Sequence, residues 1–287
     1  DNTCVVVGWN AAPLSLNVRY GVSYISVEQA KRNLRREIKD FDLKKVTSAG
    51  RKIWNEELGK ISVSGGTEND RFVFYTSLYR CLERPVNISE EGRYFCVYDN
   101  RIHEDGGYAY YTDDWIWDSY RAAHPLRILT DRKKHTDIIR SFLRMSDHWF
   151  PNFPEVTGDS RRMNCNHGVS VIADAWYKGV RDFDLQKAYT YTKAAIEEKT
   201  LAPWSSAKAG WIDRFYKEKG YIPSLASGEQ ETVPEVNSFE KRQSVAVTLG
   251  TAYDQWCLSR IASALGLEKE ADHYVSCSYN YRNLFNP

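Results

Sequence analysis

The feature that most constrains this chain is a change of hydrophobic period at Ser26. Before it, Leu16-Asn17-Val18-Arg19-Tyr20-Gly21-Val22-Ser23-Tyr24-Ile25 alternates with period two, and Val5-Val6-Val7 is a short apolar run. Strict alternation puts one apolar face inward on an extended strand. From Ser26 onward the apolar residues recur at helical spacing instead: Ala30, Leu34 and Ile38 follow an N-cap serine with Gln29 three positions on, as in a capping box. A short sheet cannot stand alone. The expectation is therefore that residues 1–26 end a larger N-terminal sheet domain, residues 27–60 form linker helices, and residues 61–287 begin a mainly helical domain.

Within that domain the spacing predicts a succession of helices. One covers about Asp42 to Lys60, with Val46, Ala49, Ile53, Trp54 and Leu58 on its inner face. Ser64-Gly65-Gly66-Thr67 breaks it, and another runs from Glu68 through Leu82. A loop-rich region from Glu83 to Thr112 holds short strand-like pieces at Tyr94 to Tyr98. Helical patterns then fall near Asp114–Leu129, Arg132–Met145, His167–Val180, Asp184–Lys199, Gly210–Lys219, Phe239–Leu265 and Glu268–Asn283. Paired helices in a toroid or solenoid fit this order, and no self-similar period marks a repeat array.

Charge and cysteines exclude several functions. Lys plus Arg, 39, nearly equals Asp plus Glu, 38, so the chain lacks the basic footprint of a nucleic-acid or anionic-membrane binder. No apolar run reaches the roughly 18–20 residues a membrane helix needs. Asp1-Asn2-Thr3-Cys4 opens no signal sequence, so any export signal is expected to have been removed or to lie outside the chain. The six cysteines are scattered, with no C-x-x-C pair and no zinc-finger spacing, and read as individual buried thiols.

Two stretches carry the polar and aromatic density of a carbohydrate site. In Gly106 to Pro125, Tyr110, Tyr111, Trp115, Trp117 and Tyr120 interleave with Asp113, Asp114, Asp118 and Arg121. Flat rings stack on the C–H face of a pyranose while carboxylates and guanidinium groups bind its hydroxyls. The same residues also fit the buried stripe and first turn of a helix. The second stretch, Trp149 to His167, sets Glu155, Asp159, Arg161, Arg162, Asn164, Asn166 and His167 around two prolines and a glycine. Helix caps and local ion pairs account for some of these. Glu155, Asp159, Asp113, Asp114 and Asp118 are the acid/base candidates, since glycoside hydrolysis needs two carboxyl groups, one to protonate the leaving oxygen and one to activate water or attack. His167 reads as a general base or ligand, or as a cap or core residue; Asp174, in a core helix, needs a partner. The Glu229 to Glu235 loop reads as solvated, and Asn87-Ile88-Ser89 is a formal glycosylation sequon. Phosphate-loop, dinucleotide, nucleophile-elbow and zincin motifs are absent.

Taken in order, Arg51-Lys-Ile-Trp-Asn-Glu-Glu-Leu-Gly-Lys-Ile61, Phe74-Tyr-Thr-Ser-Leu-Tyr-Arg80, Trp117-Asp-Ser-Tyr-Arg-Ala-Ala-His-Pro-Leu126, Val171-Ile-Ala-Asp-Ala-Trp-Tyr-Lys-Gly179 and Tyr253-Asp-Gln-Trp-Cys257 resemble the motifs of glycoside hydrolase family 92. The similarity runs from about Tyr20 to the last residue. It implies calcium-dependent exo-α-mannosidases that invert the anomeric centre, built from an N-terminal β-sandwich followed by an (α/α)6 barrel. The expected fold is thus a mainly α, incomplete (α/α)6 toroid preceded by the end of a β-sandwich.

The resemblance makes Glu155 or Asp159 the general acid: Glu155 matches the first Glu of the family's Trp-Glu-Leu-Ala-Gly-Asn-Glu-Thr loop, and Asp159 stands at its second. The acid's pKa would be raised by burial against rings such as Trp149 or Phe153. Substrate binding is expected from Trp115, Trp117, Asp118, Arg121, Asn166 and His167. The family's Gly-Asn-Asp-Asp-like base segment does not occur here, so the base and some metal ligands are expected outside this chain. The implied partners are calcium and a mannose-containing glycan, in a periplasmic, secreted or cell-surface protein. The rival readings are another (α/α)6 glycan hydrolase or lyase, and a non-catalytic carbohydrate-binding helical domain.

Overall fold

The computed structural model describes residues 4, 6–10, 15–112, 114–149 and 163–285, with the backbone alone at Trp149. The chain divides into two compact units, residues 1–64 and 65–287.

In the first unit, helices α1 (Val27–Glu37) and α2 (Leu43–Leu58) follow an extended segment. Ser26 caps α1 by accepting the Gln29 N–H at 3.1 Å, which is half of the expected box. The Gln29 side chain turns inward instead and donates to Asn33 Oδ1 at 3.1 Å.

The period-two segment is extended, but it pairs with no strand among the described residues. It lies on α1 by its small and polar face. A Cβ on Gly21 would stand 2.3 Å from the Ala30 carbonyl oxygen, Asn33 Nδ2 donates to the Val22 carbonyl, and Arg19 donates to the Ile38 carbonyl. The apolar face, Val18, Tyr20, Val22 and Tyr24, is exposed. The alternation is thus real, but its apolar side is turned away from the helix. In α2 the expected inner face is likewise exposed at Val46, Ala49, Ile53 and Trp54, and the helix buries none of its residues.

The second unit is mainly helical. Helix α3 (Glu68–Arg80) opens on a complete capping box between Thr67 and Asp70. The loop after it contains an antiparallel hairpin, β1 (Arg93–Cys96) and β2 (Arg101–Glu104), in which Tyr94 faces His103 and Cys96 faces Arg101. Among the described residues eight helices follow before a C-terminal 3-10 turn at Tyr279–Leu284: α4 (Ile116–Ser119), α5 (Ala123–Thr130), α6 (Arg132–Trp149), α7 (Gly168–Tyr177), α8 (Leu185–Glu197), α9 (Trp211–Lys219), α10 (Ser244–Ala264) and α11 (Glu268–Ser278), the last leading into the turn.

The core gathers on α10, which packs against α7, α8, α11 and the 3-10 turn. Helices α5, α6, α7 and α8 pack on one another beside it. Phe142, Ile138, Ile139, Met145, Ile172, Leu258 and Ile261 are the large side chains sealed inside.

Two boundaries differ from the spacing. The helix expected over Asp114–Leu129 is broken into α4 and α5, and Pro125 falls in the first turn of α5, where its missing N–H costs nothing. Helix α10 begins at Ser244 rather than near Phe239, because Lys241 and Gln243 take left-handed backbone angles, φ 59° and 45°, that stop it.

Candidate functional site

A cavity of about 760 Å³ in the second unit is walled by the segment Trp117–Pro125, by one face of α7 along its length and by the first half of α10. Trp117, Tyr120 and Tyr253 supply rings; Arg121, Asn164, His167, Asp174 and Lys178 supply polar groups; Ala246, Leu249 and Gly250 form the floor.

His167 is held in this wall from two sides. Its ring is buried and stacks on Tyr120 with centroids 4.1 Å apart. Its Nδ1 lies 2.7 Å from Asp254 Oδ1, and Asp254 Oδ2 accepts the Asn166 N–H at 2.7 Å. An ionised carboxylate accepts only, so Asp254 fixes the proton on Nδ1 and with it the tautomer of the ring. Asp254 comes from mid α10 and is 1% exposed. Gly250 sits one turn earlier on α10 because a Cβ there would meet Cys165 Sγ at 2.2 Å and His167 Cε1 at 3.4 Å. Close approach of the α10 backbone is what lets Asp254 reach the imidazole.

Arg121 forms the opposite rim. Its Nε donates to the Tyr120 hydroxyl at 2.7 Å, and its guanidinium stands 5.1 Å from the Tyr120 ring and 6.0 Å from Trp117. Burial pushes the Tyr120 phenol upward against the opposing pull of Arg121, so it is a neutral hydroxyl at ordinary pH. Asp174 is partly exposed and paired with Lys178 Nζ at 2.7 Å. The partner this helical aspartate needs is thus one turn along its own helix.

The sequence-derived site residues separate in space. Trp117, Arg121 and His167 line the cavity together. Asn166 is buried beside it, its Nδ2 donating to the Ala195 carbonyl and its backbone held by Asp254. Trp115 and Asp118 are exposed and lie off the lining; Trp115 stacks under Arg84 at 4.8 Å. Glu155, Asp159 and Asp113 fall outside the described residues.

Asp114 is buried and spent on structure. It accepts from the Trp115 N–H and the Ser119 hydroxyl and faces His124 Nε2 at 3.0 Å, an ion-pair distance with poor hydrogen-bond angles. Burial raises its pKa, but His124, Arg127 and Ser119 together outweigh that and hold the carboxyl below its usual range. Such a group is no general acid.

The structural residues that single-residue reading did not assign are Asp254 and Tyr253. Both stand in the Tyr253-Asp-Gln-Trp motif, where a carboxylate in an otherwise apolar helix is the signal. On the other side of the α10 N-terminus, Arg242 makes a two-pronged pair with Glu231, at 2.7 and 2.8 Å, which fixes the loop expected to be solvated. Three thiols, Cys96, Cys165 and Cys257, are buried, while Cys4 is exposed and Cys81 and Cys277 are intermediate.

The second unit is thus a helical domain whose cavity sets rings and polar side chains over an apolar floor. The sequence profile of the glycosyl hydrolase family 92 catalytic domain matches residues 29–287, so the chain belongs to that family.

A family 92 inverting mannosidase of Bacteroides thetaiotaomicron superposes with a TM-score of 0.78 at 31% identity, over 92% of this chain and 34% of that one. A family 92 α-mannosidase of the same organism, solved with mannoimidazole, gives 0.73 at 26% identity, over 92% and 32%. A protein of Arthroderma benhamiae described as an uncharacterized secreted glycosidase is 25% identical over 280 residues, 95% of this chain and 31% of its own length. The chain thus spans about a third of these relatives. No described helix is long and apolar enough to cross a membrane.

Proposed function

We propose that this chain is part of an exo-α-mannosidase that removes terminal α-mannose from glycans with inversion, acting outside the cytoplasm as a periplasmic, secreted or cell-surface enzyme. Family membership supports the reaction class, and the mannosidases among the structural relatives support the sugar. The observation that carries the reading in this chain is the wall made by Trp117, Tyr120, Arg121 and His167. It offers ring faces for the C–H side of a hexose beside donors for its hydroxyls. Asp254 prepays the ordering of His167, so that this hydrogen-bonding group is held in one orientation before sugar arrives.

Inversion requires an acid on the leaving oxygen and a base on water from the opposite face, in one displacement. The acid is assigned to Glu155 or Asp159 on sequence, and the base to a group beyond these residues. Calcium is the expected ion, gripping sugar hydroxyls through hard oxygen ligands. Among the described residues, the one cluster of three or more His, Cys, Asp or Glu side chains with converging ligand atoms is Cys96, Asp99, His103 and His148. A thiol and two imidazoles are the wrong donors for calcium. This cluster is therefore not the calcium site.

The test separates the two acids. In the intact protein, Glu155→Gln and Asp159→Asn are assayed on mannobiose, with calcium and with a chelator. The general acid's variant should lose a hundredfold or more in kcat, on the order of the contribution of a positioned acid, and the other far less. Equal, mild losses in both would remove the acid assignment. Failure of the folded wild-type protein to release mannose under either condition would remove the activity.

A further inference from the structure

The hairpin and the end of α6 bring together four side chains that the glycan cavity does not use. Cys96 ends β1, Asp99 stands in the turn, His103 lies on β2, and His148 is in the last turn of α6. Their ligand atoms all lie within 4.8 Å of one another.

The sequence dictates this convergence. In the hairpin register Tyr94 opposes His103, and Cys96 is two residues beyond Tyr94, so Tyr94, Cys96 and His103 share one face. The Tyr94 ring stacks on His103 at 5.5 Å and on Tyr110 at 3.8 Å, which holds the imidazole flat against an aromatic wall. Helix α6 crosses that face: Arg144 stands over Tyr94 and donates to the Asp105 carbonyl at 2.8 Å. His148 is one turn further along the same side, its ring 6.1 Å from that of His103.

We propose that Cys96, Asp99, His103 and His148 form a closed zinc-type site that staples the hairpin to the C-terminal turn of α6. One thiolate, two imidazoles and one carboxylate are the donor set of tetrahedral zinc, and together they neutralise its charge. In a zinc tetrahedron neighbouring ligand atoms stand roughly 3.3–3.7 Å apart, given bonds of about 2.0–2.3 Å. Asp99 Oδ2 lies 2.8 Å from His103 Nε2 and 3.8 Å from His148 Nε2, on either side of that spacing, so side-chain adjustment closes the shell.

Asp99 Oδ2 is hydrogen-bonded to His103 Nε2 at 2.8 Å. The ion would enter by releasing the thiol proton to solvent, with each histidine binding through a neutral ring nitrogen. All four positions are protein ligands, which marks a structural site rather than a catalytic one.

The experiment loads the metal-stripped intact protein with zinc, with cobalt and with calcium. Zinc is counted by mass spectrometry, and cobalt is read by its thiolate-to-metal charge-transfer band and tetrahedral d–d bands. Expected are stoichiometric zinc, a rise in melting temperature with zinc, and the cobalt thiolate signature. Cys96→Ser should abolish the charge-transfer band. His148→Gln, at an exposed helix end where folding is not at risk, should weaken zinc binding by more than the roughly 10–100-fold lost with a mere supporting contact. Retained zinc affinity in His148→Gln, a cobalt spectrum without the thiolate band, or no zinc uptake by the folded wild type would each overturn the site. Calcium should leave the cobalt bands in place; loss of them on adding calcium would also overturn it.

Discussion

Asp254 is the residue on which the order of the cavity wall depends, and two substitutions separate its two roles. It is 1% exposed and accepts two hydrogen bonds of 2.7 Å, from His167 Nδ1 and the Asn166 backbone. Asp254→Ala strands both donors where water does not reach. At about 1–3 kcal/mol for each unpaired buried group, plus the hole left by the carboxylate, the loss comes to roughly 3–6 kcal/mol. With a urea slope near ~3 kcal/mol/M, the unfolding midpoint falls by about 1–2 M.

Asp254→Asn is different. Its oxygen keeps the Asn166 N–H, and its amide group then faces Nδ1 as a donor, which the ring satisfies by moving its proton to Nε2. Stability falls by only about 1–2 kcal/mol as a charge-assisted bond becomes a neutral one. The tautomer on the cavity wall is reversed, so sugar affinity and turnover fall although the fold persists. Urea titrations measure the first effect, and nitrogen-15 imidazole shifts of His167 read the tautomer directly. Unchanged His167 nitrogen shifts in a folded Asp254→Asn protein, together with unchanged mannoside turnover, would refute the reasoning.

Other consequences are as concrete. Arg121→Ala and Trp117→Ala should each raise KM for an α-mannoside by about tenfold, roughly the loss of one charged hydrogen bond or one stacking face, with melting temperature little changed. Gly250→Ala should destabilise by about 1–3 kcal/mol through overpacking against Cys165, and adding Cys165→Gly, at a left-handed position with φ 66°, should recover part of it. Burial lowers the pKa of His124 and takes His135 down to about 2, while Asp114 beside them is held below its usual range. The unfolded chain therefore binds protons that the folded one refuses. For His135 alone, stability falls as pH drops from about 6.5 toward 2, by about 1.4 kcal/mol per unit. His135→Leu should flatten that slope in pH-dependent unfolding, and an unaltered slope would show that His135 is protonated in the fold.

The sequence reading and the structure agree where periodicity is strong and part where packing partners decide. The cap at Ser26, the helix start at Glu68 and the helical patterns of α6, α7 and α10 were legible because local spacing determines them. The split at Tyr120–Ala122 was not, since Ile116, Tyr120 and Ala123 keep helical spacing across it while α5 turns to pack on α6 and α7. For Leu16–Ile25 the alternation was legible but its orientation was not: the small residue Gly21 takes the helix contact and leaves the larger apolar side chains outward. At the site, Trp117, Arg121 and His167 are close in space through α4, α5 and α7, yet Asp254 reaches them from 87 residues beyond His167. No local pattern announces such a contact. The Cys96, Asp99, His103 and His148 cluster has no zinc-finger spacing for the same reason, because three of its side chains come from the hairpin and the fourth from α6.

The most direct test of the account is the configuration of the first sugar released. The intact protein is mixed with an aryl α-mannoside or mannobiose, and the anomeric protons are followed by NMR before mutarotation. The account predicts free mannose that appears first as the β anomer. Release of the α anomer first, or no mannose from folded protein, would contradict it.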